Sequence, residues 1–100
     1  MLHLTQLIYI HNGQEEAFQE FESKAIPLMK KYNGEMLLRV RPTDETIIEG
    51  SAEKPYEIHY MTFASKSDLD NYLKDEERQK YLHLKNQSIR STVLVVGDRA

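Results

Sequence analysis

Tyr56-Glu57-Ile58-His59-Tyr60-Met61-Thr62-Phe63, followed at once by Ala64-Ser65-Lys66-Ser67-Asp68-Leu69, decides the fold. Residues 56–63 alternate around β-branched and aromatic side chains, the period-two pattern of a strand. Ser65 and Asp68 then form a capping box in front of Leu69, Tyr72 and Leu73, so a helix begins where the strand ends. Downstream, residues 75–86 mix charges with Tyr81, Leu82 and Leu84 and read as a second helical piece after a bend, their charges facing solvent. A last strand spans about residues 88–96, and Gly97-Asp98-Arg99-Ala100 forms a tail.

Upstream the same order occurs once more. Residues 2–10 read as a strand that ends at His11-Asn12-Gly13, with Asn12 capping a helix and Glu15 as its capping-box partner. Phe18, Phe21, Ala25, Leu28, Met29 and Tyr32 recur at spacings of three and four, a stripe that faces a sheet. Pro27 removes one helical hydrogen bond and predicts a kink within residues 23–27, and Asn33-Gly34 stops the helix. Residues 35–41 are a second strand, broken at Pro42; residues 46–49 resume extended pairing, and residues 51–55 are a loop. The resulting β-α-β-β-α-β order is the split β-α-β, ferredoxin-like plan: an α+β fold with a four-stranded antiparallel sheet and helices on one face. It occupies residues 1–100 as one domain.

Hydrophobic residues at 40% and charged residues at 29% match a globular chain. A net charge of -3 supplies no field that attracts a phosphate backbone, so nucleic acid is not expected as a partner. The chain has no cysteine, which excludes thiol nucleophiles and thiolate metal sites. No stretch approaches the roughly 18 apolar residues of a spanning helix, and the first residues lack a basic, then apolar, leader pattern. No membrane partner and a cytoplasmic location are expected.

Separating each strand by parity yields two sets. One is almost wholly apolar and is expected beneath the helices: Leu2, Leu4, Ile8 and Ile10 with Met36, Leu38, Val40, Ile58, Tyr60, Ile89, Val93 and Val95. The other mixes Leu7, Leu37, Met61, Phe63, Leu94 and Val96 with His3, Thr5, Tyr9, Arg39, Arg41, Glu57, His59, Arg90 and Thr92. That second face is too apolar for water and too polar for a dry core, so a second copy is expected to cover it, enclosing a polar cavity.

His59 stands mid-strand on this face as a candidate catalytic general base or ligand, and Arg39 as a candidate catalytic group that holds a carboxylate or enolate oxygen. Tyr9, His3 and Arg90 share the face as candidate ligand-binding residues. Each has a structural alternative as an interface side chain. The four histidines have no ligand spacing, so no metal is expected. Gly13, Gly34, Gly50 and Gly97 each stand alone at an element end and form no phosphate loop. An RNA-binding role is disfavoured because the Lys/Arg-Gly-aromatic motif is missing.

Ile26-Pro27-Leu28, Tyr32-Asn33-Gly34, Ile48-Glu49-Gly50 and Phe63-Ala64-Ser65, with Tyr72 and Tyr81 beyond, resemble the dimeric α/β-barrel superfamily. Within it they resemble the uncharacterised family called domain of unknown function 1330. The resemblance implies a homodimer acting on a small apolar, oxygen-bearing molecule without a cofactor, in the manner of monooxygenase or isomerase relatives. A non-catalytic small-molecule-binding or interaction module is the other reading. The chain contains no tryptophan, so the Asn-Trp-His set of haem-degrading relatives is not carried over.

Overall fold

The computed structural model describes residues 1–98. In chain order it contains β1 (Leu2–Ile10), α1 (Glu15–Leu28), β2 (Gly34–Val40), β3 (Glu57–Phe63), α2 (Lys66–Leu73), α3 (Glu76–Gln79), α4 (Leu82–Ser88) and β4 (Ile89–Asp98). The strands form one antiparallel sheet in the order β2-β3-β1-β4, the ferredoxin-like arrangement. No helix among the described residues is long and apolar enough to cross a membrane.

Helix α1 starts later than the Asn12 cap predicts. Gly13 takes a φ of +81°, and Gln14, not Asn12, occupies the N-cap without a side-chain bond. Glu15 and Glu16 still place negative charge in the first turn, where the helix dipole favours it. The helix continues through Pro27, then tightens to a 3-10 turn at Met29–Tyr32. Asn33 ends that turn in the left-handed conformation at φ 56°. Gly34 follows because a Cβ there would lie 2.5 Å from Phe63 Cε1.

Ser65 caps α2 by accepting from the Asp68 N–H at 3.1 Å. The expected second helical piece is divided into α3 and α4, with Asp75 capping α3 through the Arg78 N–H. Residues 46–49 do not resume a strand. Asp44–Thr46 forms a 3-10 turn closed by a Thr43/Thr46 capping box, so its backbone groups bond locally and not to the sheet. Gly97 and Asp98 continue β4, while Arg99 and Ala100 of the expected tail lie outside the described residues.

The register corrects the assignment of faces. Leu4 pairs with Met61, Gln6 with His59 and Ile8 with Glu57. Directly opposed residues share a face, so the odd residues of β3 lie beneath the helices with Leu4 and Ile8. On β4 the helix-side residues are Thr92, Leu94 and Val96, opposite Ile8, Gln6 and Leu4. The core joins Leu4 and Phe63 to Met29 and Tyr72, and the Tyr72 hydroxyl donates to the Ala25 carbonyl at 3.0 Å. Between Met36 and Leu38 the β2 register shifts by one residue, a bulge that puts Met36 opposite Met61 yet Arg39 opposite His59.

The bare face is consequently more apolar than its expected composition. Leu7, Ile58 and Tyr60 occupy its middle strands, flanked by Leu38 and Val40 on β2 and Val93 and Val95 on β4. Leu38 is 55% exposed and Val95 59%.

Candidate functional site

β3 places Glu57 and His59 two residues apart on the helix side, each only 2% exposed. A buried carboxylate persists only with partners. Arg39 supplies two, from Nε at 2.7 Å to Oε1 and from Nη2 at 3.2 Å to Oε2, the forked geometry of a guanidinium on a carboxylate. Arg41 Nη2 adds another to Oε2, and its guanidinium lies 4.6 Å from the Tyr56 ring centroid. Burial pushes the Glu57 pKa up, but the donors from Arg39, His59 and Arg41 outweigh it and hold the group below its ordinary range.

An ionised Glu57 accepts at Oε1 from His59 Nε2, 2.8 Å away. The proton of neutral His59 therefore sits on Nε2 and the lone pair on Nδ1. Nδ1 makes no hydrogen bond among the described residues. Burial lowers the His59 pKa, with Glu57 opposing the shift, so the imidazole stays neutral near pH 7. Phe18 packs beside it with ring centroids 6.5 Å apart.

His59 lines a cavity of about 110 Å³ between the helices and the sheet. Leu4, Met29, Met61 and Phe63 supply apolar wall, and the half-exposed Leu73 and Leu94 also line it. Four further polar side chains enter it: Gln6, Glu22, Tyr72 and Arg78. Glu22 is 7% exposed, and burial raises its pKa to about 7, with Glu57 adding to the rise while Arg39, Arg78 and Lys85 moderate it. The cavity thus holds a neutral imidazole and a carboxyl group that exchanges its proton near neutral pH.

The sequence candidates separate into distinct places. His59 and Arg39 come together, but beneath the helices and not on the bare face. Arg39 is engaged by Glu57 and by Gln19 Oε1, at 3.0 Å, so it serves the Glu57–His59 pair and is not a free oxyanion donor. His3 lies on the bare face, its Nδ1 2.6 Å from Tyr60 Oη. Tyr9 and Arg90 sit at another corner: Tyr9 Oη donates to the Glu53 carbonyl at 3.0 Å, and Arg90 stacks over the Tyr9 ring at 5.6 Å while pairing with the Glu53 carboxylate.

Sequence reasoning missed Gln6, Glu22 and Arg78. Glu22 carried a readable signal, since Phe18, Glu22, Ala25 and Met29 continue the buried stripe at spacings of four, three and four. Arg78 carried none, because its burial depends on α3 folding back over α1 and α2.

The sequence pattern of the family described as Domain of unknown function (DUF1330) matches residues 7–98. No curated protein matches the chain. Among solved structures, a protein of unknown function from Rhodopseudomonas palustris is similar at a TM-score of 0.83 and 10% identity, over 99% of this chain and 82% of that one. A putative antibiotic biosynthesis monooxygenase from Nitrosomonas europaea aligns at 0.72 and 11%, over 99% and 98% of the two chains. An uncharacterized NIPSNAP domain protein from Burkholderia xenovorans aligns at 0.71 and 11%, over 100% and 95%. These likenesses establish the ferredoxin-like fold.

Proposed function

We propose, for a chain that belongs to the DUF1330 family, a homodimeric, cofactor-independent enzyme that moves a proton on a small apolar, oxygen-bearing molecule. The observation that carries this reading is a pair of titratable groups, His59 and Glu22, with oppositely displaced pKa values in one apolar cavity. His59 Nδ1 takes a proton from carbon next to a carbonyl, and protonated Glu22 delivers one to the carbonyl oxygen, producing an enol. Returning a proton at a different atom completes an isomerisation. A monooxygenase-like outcome uses the same enol with dioxygen as oxidant, one oxygen atom entering the product and the other leaving as water.

Cyclopentanone in D2O tests the proton step by NMR. The wild-type chain is expected to accelerate exchange of the hydrogens next to the carbonyl, and His59→Gln to reduce that acceleration at least about 100-fold. No acceleration by the wild type, or an unaltered rate in the variant, overturns the catalytic reading. The second reading, a non-catalytic binding module, draws on the closed Glu57 network, in which Arg39, Arg41 and His59 are all paired. Saturable binding without exchange selects it.

The homodimer part of the reading rests on the bare sheet face. Cα extents of 36 × 34 × 16 Å describe a slab only two layers thick. A face of that span exceeds the about 800 Å² per partner of a standard interface. A flat apolar sheet face is complementary to its own copy under a two-fold axis, which closes the contact. Sedimentation is expected to give a dimer for the wild type and a monomer for the Leu38→Asp/Val95→Asp variant. A monomeric wild type removes the second copy from the proposal.

A further inference from the structure

Arg78 is the one charged group in the cavity that the proton-transfer scheme leaves unused. Arg78 is 8% exposed, and its Nε has no hydrogen-bond partner among the described residues. No carboxylate lies within ion-pair distance of it among the described residues. Asp75, its nearest acid in sequence, is already occupied: it accepts from the Arg78 backbone N–H, from Lys31 Nζ at 2.7 Å and from the Tyr32 hydroxyl. The guanidinium carbon lies 5.5 Å from the Phe21 ring centroid and 5.0 Å from that of Tyr72. The two aromatic faces leave the buried Nε–H without an acceptor, because it lies in the guanidinium plane. A buried, permanently charged donor left unpaired is costly, and an oxyanion is the partner that removes the cost.

We propose that Arg78 anchors the carboxylate of a short, otherwise apolar acid whose hydrocarbon part fills the cavity between the helices and the sheet. The proposal rests on the reading that this cavity takes a small molecule, and it names the substrate class. The volume limits the chain: a cavity of about 150 Å³ accommodates benzene, so one of about 110 Å³ takes a hydrocarbon part of about four carbons, that of pentanoate.

Binding is linked to the proton on Glu22. The groups around Glu22 are Arg39 from β2, Glu57 and His59 from β3, Tyr72 from α2, Arg78 from α3 and Lys85 from α4. An incoming carboxylate adds a further negative charge to this set and is compatible only with protonated Glu22. Affinity is therefore greatest below pH 7 and falls as Glu22 ionises above it.

Titration calorimetry of the full chain with pentanoate and with pentanamide, at pH 6 and pH 8, tests this. Pentanoate is expected to bind the wild type at pH 6 at least about tenfold more tightly than pentanamide, and about tenfold more weakly at pH 8 than at pH 6. Arg78→Gln is expected to abolish the preference for pentanoate while retaining pentanamide. Should that variant fail to fold, Glu22→Gln provides the second readout: it keeps Arg78 and is expected to bind pentanoate equally at both pH values. Equal binding of the two probes by the wild type overturns the carboxylate anchor and leaves the cavity reading standing. Binding of neither overturns both.

Discussion

Glu57→Ala is expected to lower the unfolding free energy by about 3 kcal/mol, a loss of about 15 °C in Tm for a chain of this size. Glu57 is 2% exposed and is the common acceptor for Arg39, Arg41 and His59. Its removal leaves His59 Nε2–H, equally buried, without its acceptor. Arg39 and Arg41 are about a third and a half exposed as side chains, so they relax into water and keep the loss near the lower end for a broken buried pair. Urea unfolding measures the effect. A loss below about 1 kcal/mol means that water replaces Glu57 as the partner of His59, and the dyad then has no structural anchor. The same substitution also frees His59 to carry its proton on either nitrogen, so it is expected to reduce carbonyl-dependent exchange together with stability.

Glu22→Gln acts in the opposite direction, and only above about pH 4.5. The Glu22 pKa is raised from 4.5 to about 7 in the folded chain, chiefly by burial. A raised folded-state value means that the native chain holds this proton more tightly than the unfolded one. The associated stability is fully present below about pH 4.5, declines as pH rises, and is lost above about pH 7. A glutamine never ionises and escapes the loss. The variant is expected to match the wild type near pH 4.5 and to exceed it by about 3 kcal/mol at pH 8. Denaturation at both pH values checks the sign and the window together. An equal difference at the two values assigns the effect to packing, not to titration. Greater stability with lost exchange activity is the pattern of a group retained for chemistry at a cost in folding free energy.

These expectations concern residues that were legible in the sequence to different degrees. His59 and Arg39 were singled out from strand parity and residue type, and the fold brings them together through Glu57. Apolarity alone nevertheless puts them on the wrong side of the sheet. It groups Ile58 and Tyr60 with Leu4 and Ile8, since all are apolar. The register instead opposes Leu4 with Met61 and Ile8 with Glu57, bringing Phe63, which is fully buried, into the core. Glu57 and His59 follow Phe63 to that side because side chains alternate along one strand. Their polarity is tolerated because Arg39, Arg41 and each other satisfy it. His3, Tyr9 and Arg90 remain outside the cavity, with partners on the bare face or at its corner.

The element order, the α+β class and the ferredoxin-like plan were already set by short-range chemistry. Apolar periodicity, the Ser65 cap, the Asn33-Gly34 stop and the proline after β2 act within a few residues, and none needs a distant partner. Which face carries the chemistry was a long-range matter. A strand has a period of two, so one extra residue exchanges its faces, and the bulge at Leu37 is such a residue. It places Met36 and Arg39 on one side of β2, and so sets a guanidinium beside Glu57. Glu22, His59 and Arg78 likewise lie on α1, β3 and α3, and only the packing of those elements around a shared cavity gives them a common environment. Burial, and with it proton affinity, belongs to the assembled core and not to any local stretch of chain.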